Sequence, residues 1–481
     1  MGALSGALAG RRVGVYGSGG APYAHLAFAA LHGAEVRVVR AEDVAAGRLA
    51  RLDALVMPGG GRRAMAGLLA PLGRDGAAAI HRFVEEGGCY LSSCAGSVLP
   101  LALDGAAAEA LPEAAAMRMV EVALANPGDA TLGGLSSPGV GRIRVRVDVG
   151  SPLGEGLPDE VAMVHYNGPF FAVAEAGAAG VRPFAWPRAA EPGFTPAERF
   201  LSPDGGDAAW EGETTFDACV RRGAAGGLAC EVGRGHAILF GSHPEFGLGP
   251  LQLGWGEGAR LLLNALRLAP ARARGDGGSG PWRPRPQRPG AAPAELADEV
   301  ARGLRCAAER FDGLRLRADA AWLAPGLAPH FHGVAARDAW QRDAGVAAGV
   351  ADATADLLAS LRGRLDDGDR GWLDDAPRTD QDVGAMGLLQ LGESALGMLE
   401  RAEARLEAPP ERPAHAYDGL DAHPFHLAVG SYLSAAGLVA AAALASAVLA
   451  ARHGAPTGPL TPYLFETAAA TPATEPREEP R

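Results

Sequence analysis

The stretch that most constrains this chain is residues 87–100, GGCYLSSCAGSVLP. Two glycines lead into a short apolar strand, the strand ends in a serine pair, and Cys94 sits at the turn before Ala95, Gly96 and a new apolar run. A side chain perched on a tight strand-to-helix turn is pushed out of the sheet. Such a turn crowds backbone atoms together, so it needs small residues two positions before and two after the perched one. Ser92 and Gly96 fill those positions. The pattern is that of a nucleophile elbow with Cys94 as nucleophile, set against the plainer alternative of a buried structural thiol.

The surrounding sequence supplies a sheet for such an elbow. Residues 12–16 (RVGVY) read as a first strand running into the turn Gly17-Ser18-Gly19-Gly20, followed by an apolar helix over 24–31 and a second strand over 35–39. Pro22 breaks the G-x-G-x-x-G spacing of a dinucleotide site, which favours a plain tight turn. Residues 52–57 form a third buried strand ending at Pro58-Gly59-Gly60-Gly61, residues 80–86 a helix, and residues 89–92 the next strand. Strands alternating with helices imply an α/β fold, a flavodoxin-like mostly parallel sheet with helices on both faces. The chemistry of such sheets gathers at the carboxyl ends of the strands, where both the 58–61 turn and Cys94 fall.

Beyond residue 103 the pattern changes. Residues 106–120 are alanine-rich and helix-prone, and residues 143–149 (IRVRVDV) alternate like a half-exposed antiparallel strand. Short strands are expected at 161–164, 181–185 and 228–232. Residues 236–242 (HAILFGS) form a buried strand that delivers His243-Pro244-Glu245, and residues 251–268 a helix that closes a first domain, residues 1–269. Residues 270–293, rich in Pro, Gly and Arg, cannot bury a core and read as a linker. Residues 294–460 read as an all-α helical bundle of four to six helices, with helices over 295–311, 338–365, 383–406 and 427–452. Residues 461–481 read as a disordered tail. Segment 427–451 is uncharged and long enough to span a bilayer. Its many alanines contribute little to insertion, and Ser431, Ser434 and Ser446 interrupt it, so a buried bundle helix is expected and no membrane partner.

Composition narrows the function. At 481 residues and 48% hydrophobic content the chain is long enough for more than one core. A formal net charge of −12, without lysine or a basic run, argues against nucleic acid as a partner. The missing lysine also excludes a Walker-type phosphate loop. Five scattered cysteines are too few for a disulfide framework and point to a reducing, cytoplasmic setting. On an extended strand Cys89 and Cys94 would stand up to roughly 15 Å apart, beyond the ~7 Å reach of a bridge, so Cys94 is expected to be a free thiol. The opening MGALSGALAGRR reaches Arg11 and Arg12 too soon for a secretory signal.

A cysteine nucleophile needs a base, a group that orients the base, and donors for the oxyanion. His243 is the candidate base, Glu245 the orienting carboxylate, and the amides of Gly59 or Gly60 and of Ala95 the oxyanion donors; no cofactor is expected. The motifs MPGGG, GGCYLSSCAGS and FGSHPEFG, in that order, resemble the class I glutamine amidotransferase-like superfamily. Within it they most resemble the biotin-protein ligase N-terminal-type domain, over about residues 11–268. The resemblance implies Cys94 as nucleophile, His243 as base and Glu245 as its carboxylate. It also implies an aromatic-Asn-Gly segment at Tyr166, Asn167 and Gly168 that binds substrate. This chain has Ser92 where the superfamily's elbow usually has glycine. Nothing after residue 290 resembles the ligase's catalytic domain, and its glycine-rich ATP/biotin segment and lysine are absent, so biotin transfer is not expected.

Two functions of different class follow. One is a thiol hydrolase acting on glutamine or another small carboxamide. The other is a catalytically silent module that binds a small molecule in a retained pocket. The bundle would then serve homo-oligomerisation or a protein partner. His165 reads equally as a core residue and as a wall of the site. The pairs His330/His332 and His423/His426 lack a carboxylate at ligand spacing, and the run Asp366-Asp367-Gly368-Asp369 lacks the closing glutamate of a calcium loop. Loop histidines and a solvated acidic turn are expected there, and no metal.

Overall fold

The structure is a computed structural model describing residues 6–22, 25–60, 64–126, 138–173, 180–191, 194–196, 213–246, 256–272, 284–317, 333–376, 387–407 and 424–460. In chain order the strands are β1 (Arg12–Tyr16), β2 (Gly20–Ala21), β3 (Glu35–Val39), β4 (Ala54–Met57), β5 (Gly59–Gly60), β6 (Cys89–Ser93), β7 (Ala123–Leu124), β8 (Gly139–Val147), β9 (Glu160–Tyr166), β10 (Phe171–Ala172), β11 (Val181–Ala190), β12 (Thr195–Pro196), β13 (Gly227–Val232) and β14 (Gly235–Phe240). The helices are α1 (His25–Leu31), α2 (Ala41–Ala45), α3 (Ala64–Glu85), α4 (Gly105–Ala110), α5 (Thr215–Arg221), α6 (Gly256–Leu268), α7 (Pro293–Arg317), α8 (Gly333–Leu361), α9 (Arg370–Leu373), α10 (Leu388–Glu407) and α11 (Pro424–Arg452).

Five parallel strands in the order β14-β6-β4-β1-β3 frame the first half, the expected flavodoxin-like α/β sheet. From β14 the sheet continues antiparallel through β13, β11 and β8, with β9 and β12 also paired to β8, giving ten strands among the described residues. The parallel strands are apolar on both sides because both faces are covered. Val13, Val15, Val56, Leu91 and Ile238 meet α1 and α6 on one face, while Leu55, Met57, Tyr90 and Leu239 meet α3 on the other.

Local chemistry shifts several predicted bounds. The helix expected over 80–86 begins at Ala64; Pro71 and a break at Gly73 (φ 58°) hide its first half from a periodicity reading. The helix expected over 106–120 stops at Ala110, and Pro112 starts a separate turn. Strand β8 is antiparallel to its neighbours, as its alternation implies.

The second half is a helical bundle. Helix α7 packs on α8 and α10, and α11 packs on α8 and α10. Alanine-rich α11 is its apolar centre: Ser434–Arg452 has mean hydropathy 2.0 and is 89% buried within the chain. The stretch Ala344–Leu361 of α8 also passes the length and hydropathy test for a span, at 61% buried. Helix α11 also packs on α1, so the buried cluster on that face of the sheet runs on into the bundle.

The described ends of the 270–293 segment are pinned. The Arg272 amide donates to Asp53 Oδ1 at 2.8 Å, and Arg12 Nη2 donates to the Arg272 carbonyl at 2.6 Å. At the other end the amides of Arg285, Gln287 and Arg288 donate to Asp375 and Asp374, both buried. The 461–481 tail lies outside the described residues, as do His330, His332 and His423. The acidic turn at 366–369 is not wholly solvated, because Asp369 is buried and its Oδ2 accepts from His453 Nε2 at 2.6 Å.

Candidate active site

Strands β6 and β14 run side by side in parallel, with Ser93 opposite Phe240. Their ends therefore release Cys94 and His243 on the same edge of the sheet. Cys94 has φ 50°, a left-handed conformation unusual for any residue with a Cβ, and opens the short helical turn Cys94–Ser97. This is the elbow expected from sequence. A Cβ on Gly96 would lie 2.5 Å from the Met57 carbonyl oxygen and 2.6 Å from that of Pro58, which is why glycine stands there. Ser92 is accommodated differently. Its hydroxyl is buried 2.9 Å from that of Ser97, which donates to the Phe240 carbonyl at 2.8 Å, so the extra oxygen ties the elbow to β14.

His243 Nδ1 donates to Glu245 Oε1 at 2.7 Å, and Ser93 Oγ donates to the same oxygen at 3.0 Å. The His243 amide donates to the Val164 carbonyl at 2.8 Å, and the ring stacks on Phe246 with centroids 4.7 Å apart. Burial works against a charged imidazole here, but the Glu245 carboxylate and then the Cys94 sulfur outweigh it and raise His243 above its ordinary range. Burial likewise opposes the Glu245 charge, yet His243 and then His25 hold its carboxyl below the usual range. By contrast, burial pushes the Cys89 and Cys230 thiols up to about 12, which makes them inert at neutral pH. All five cysteines are free, and Cys94 is half-buried.

The Cys94 thiol donates to the Tyr166 carbonyl at 3.4 Å. The sulfur also stands beside the His243 ring, close enough to favour its charge both electrostatically and through a side-chain hydrogen bond. Gly59 lies beneath both: a Cβ there would sit 2.9 Å from His243 Cε1 and 3.4 Å from Cys94 Cβ. Gly59 and Gly60 pair with Ala21 and Gly20, so the two glycine turns read separately from sequence form one small ladder. The Ala95 amide opens the turn after Cys94, where first-turn amides lack an intrahelical acceptor. Gly61 lies outside the described residues.

Tyr166 reaches Cys94 through its backbone carbonyl, and Asn167 follows with φ 50°. Gly168 is required sterically, since a Cβ would stand 1.9 Å from the Gly241 carbonyl oxygen and 3.5 Å from Cys94 Cα. His165 is a core residue: it stacks on Phe170 at 4.7 Å and meets Ser242 Oγ at 3.0 Å. Burial, and then the His243 charge, lower it to about 3, so it is neutral. Sequence reasoning missed Ser93 and His25. Ser93 was signalled only by the doubled serine before the cysteine, and His25 by nothing local.

The one cluster with metal-ligand chemistry among the described residues is Asp366, Asp369 and His453. Arg452 Nη1 lies 3.4 Å from Asp369 Oδ1, so positive charge is already supplied there by the protein.

No family model matches the sequence, and no curated protein matches it. Similar solved structures include a candidate GMP synthase component from Thermoplasma acidophilum, 13% identical, with TM-score 0.31 over 53% of this chain and 92% of that one. A ThuA-like protein from Bacteroides uniformis is 12% identical, with TM-score 0.30 over 53% of this chain and 90% of that one. The α/β half has a flavodoxin-like α/β fold, as its own strand order shows, with a strand-to-helix elbow at the end of β6. A helical bundle follows it in the chain.

Proposed function

We propose that the α/β half is a class I glutamine amidotransferase-like thiol hydrolase that cleaves glutamine or another small carboxamide, and that within that superfamily it resembles the biotin-protein ligase N-terminal type. The observation that carries the reading is the meeting of Cys94, strained at φ 50°, with the buried His243–Glu245 pair at the ends of two adjacent parallel strands. His243 takes the Cys94 proton, and the thiolate attacks the amide carbon to form a tetrahedral adduct. Amides of Ala95 and of Gly59 or Gly60 face the oxyanion. The C–N bond breaks, His243 gives its proton to the leaving ammonia, and a thioester remains on Cys94. A water deprotonated by His243 then cleaves the thioester, releasing the carboxylic acid and restoring the thiol. Tyr166 and Asn167 line the same corner. Five free thiols fit a reducing, cytoplasmic setting, and the bundle is the part available to a second copy or a protein partner.

The test is labelling by an electrophilic glutamine analogue at neutral pH, followed by peptide mapping and an ammonia-release assay. Modification of Cys94 that is lost in His243→Ala supports the reading; an unmodified Cys94 overturns it.

One observation favours the second reading, a silent binding module: the Tyr166 carbonyl lies 3.4 Å from the Cys94 sulfur, an acceptor that competes with His243 for the thiol proton. Equal binding of a small amide by wild type and Cys94→Ala, with no ammonia released, would select it.

A further inference from the structure

Glu245 is met by a second imidazole. His25, the first residue of α1, is buried, and its Nε2 lies 3.6 Å from Glu245 Oε1, the oxygen that already accepts from His243 and Ser93. The other ring nitrogen fixes the tautomer. His25 Nδ1 stands 2.8 Å from the Pro22 carbonyl, which only accepts, so Nδ1 carries a proton. A neutral ring would then turn the Nε2 lone pair on a buried carboxylate. A doubly protonated ring turns an N–H on it instead, and a buried charge is stable only when paired.

Counting charge gives the same answer. With a neutral His25, the buried set Cys94, His243, Glu245 and His25 carries one uncompensated negative charge, whether the thiol and imidazole are neutral or form a thiolate–imidazolium pair. With a charged His25 the set is neutral in both states, so proton transfer from Cys94 to His243 proceeds without a net buried charge. Among the described residues, the carboxylate within 4 Å of His25 is that of Glu245, with His243 on the same oxygen. Helix α1 has no other ionisable side chain; of the elements packed on it, α11 has no acidic residue and carries His426 and Arg452, while Arg12 of β1 pairs with Asp53 and Glu35 and Arg37 of β3 pair with each other.

We propose that His25 is the counter-ion and positioning residue of Glu245, its Nε2 standing at ion-pair distance from the carboxylate and setting the basicity of His243 through that shared group. The inference rests on reading Glu245 as the partner of a reactive His243.

The experiment uses full-length protein labelled with ¹⁵N-histidine, in wild type, His25→Gln and His25→Lys. The ring nitrogens of wild-type His25 are expected to show both protons at neutral pH. In His25→Gln the His243 titration moves up by about half a pH unit or more, because losing a nearby positive charge favours the protonated form of what remains. His25→Lys, which restores a cation, moves it back. An unprotonated Nε2 in wild type, or an unmoved His243 titration in folded His25→Gln, overturns the proposal. The wild-type measurement decides it even if a variant does not fold. These readouts need no turnover, so a Cys94 inert to the glutamine analogue would remove the hydrolase reading alone.

Discussion

Ser93 and Phe240 are register partners across β6 and β14, and that single pairing builds the candidate site. One residue past Ser93 the chain turns at Cys94; three past Phe240 it presents His243. Ser93 also closes the corner chemically, since its hydroxyl donates to the carboxylate that orients His243. A parallel pair of buried strands is a rigid support, so the two candidate side chains are positioned by the strands that carry them.

Gly59→Ala tests that rigidity. The added methyl would lie 2.9 Å from His243 Cε1, and His243 is already held by Phe246 on its face and Glu245 at its edge. We expect a folded protein destabilised by about 1–3 kcal/mol, as for other overpacked sites. Cys94 alkylation should slow at least about tenfold, since small displacements of reacting groups cost that much or more. Chemical denaturation and iodoacetamide kinetics check the two halves of this expectation separately.

Glu245→Gln tests the charge pair through pH. His243 is held above its ordinary 6.5, so its contribution to stability is complete below about pH 6.5 and fades as pH rises through the raised value. Glu245 is held below its ordinary 4.5, so its contribution is complete above about pH 4.5 and fades as pH falls through the lowered value. Wild type should therefore exceed the variant most between about pH 4.5 and 6.5 and lose its advantage on both sides. Urea midpoints of the two proteins across the pH range measure the difference. A difference that stays constant from acid to alkali would show that the pair carries no charge.

Ser92→Gly addresses the elbow's departure from glycine. The serine hydroxyl is held in the chain Ser92, Ser97, Phe240 carbonyl. Its removal should cost about 1–3 kcal/mol and gain no reactivity at Cys94, because the turn already closes with serine in place. Gly96→Ala is the contrasting change: its methyl meets two backbone carbonyls and should prevent folding or cost about 3 kcal/mol or more. If Ser92→Gly instead raised the alkylation rate, serine would be straining the elbow.

The elbow, the His243-Pro244-Glu245 motif and the parallel sheet were legible because each is a local pattern: small residues around a cysteine, or apolar runs between glycine turns. His25 was not, because its meeting with Glu245 depends on where α1 docks, and a histidine at the start of an apolar helix reads as core. Ser93 was hidden because alternation along β6 does not tell which serine faces the carboxylate. The first half of α3 was hidden by Pro71 and Gly73, which read as breaks although the chain resumes its helix. The pinned ends of the 270–293 segment were hidden because their partners are backbone amides, which composition does not reveal.

Asp374→Ala tests that last feature. The buried Asp374 carboxylate accepts from the amides of Gln287 and Arg288 at 3.0 and 2.8 Å and from Gln390 Nε2 at 2.6 Å. The neighbouring Asp375 accepts from the Arg285 amide at 2.8 Å, and the Ala376 amide donates to the Arg285 carbonyl at 2.8 Å. Together these bonds strap the segment before α7 onto the bundle where α10 begins. Removing the carboxylate leaves buried donors unpaired, at about 1–3 kcal/mol each. The bundle should lose several kcal/mol, and proteolysis should cut first near residues 284–288. Cys94 stands at the carboxyl end of β6 and takes part in none of these bonds, so its alkylation rate should be unchanged while the α/β half stays folded. Equal stability of wild type and variant would mean that the strap is held by packing of α7 and not by Asp374.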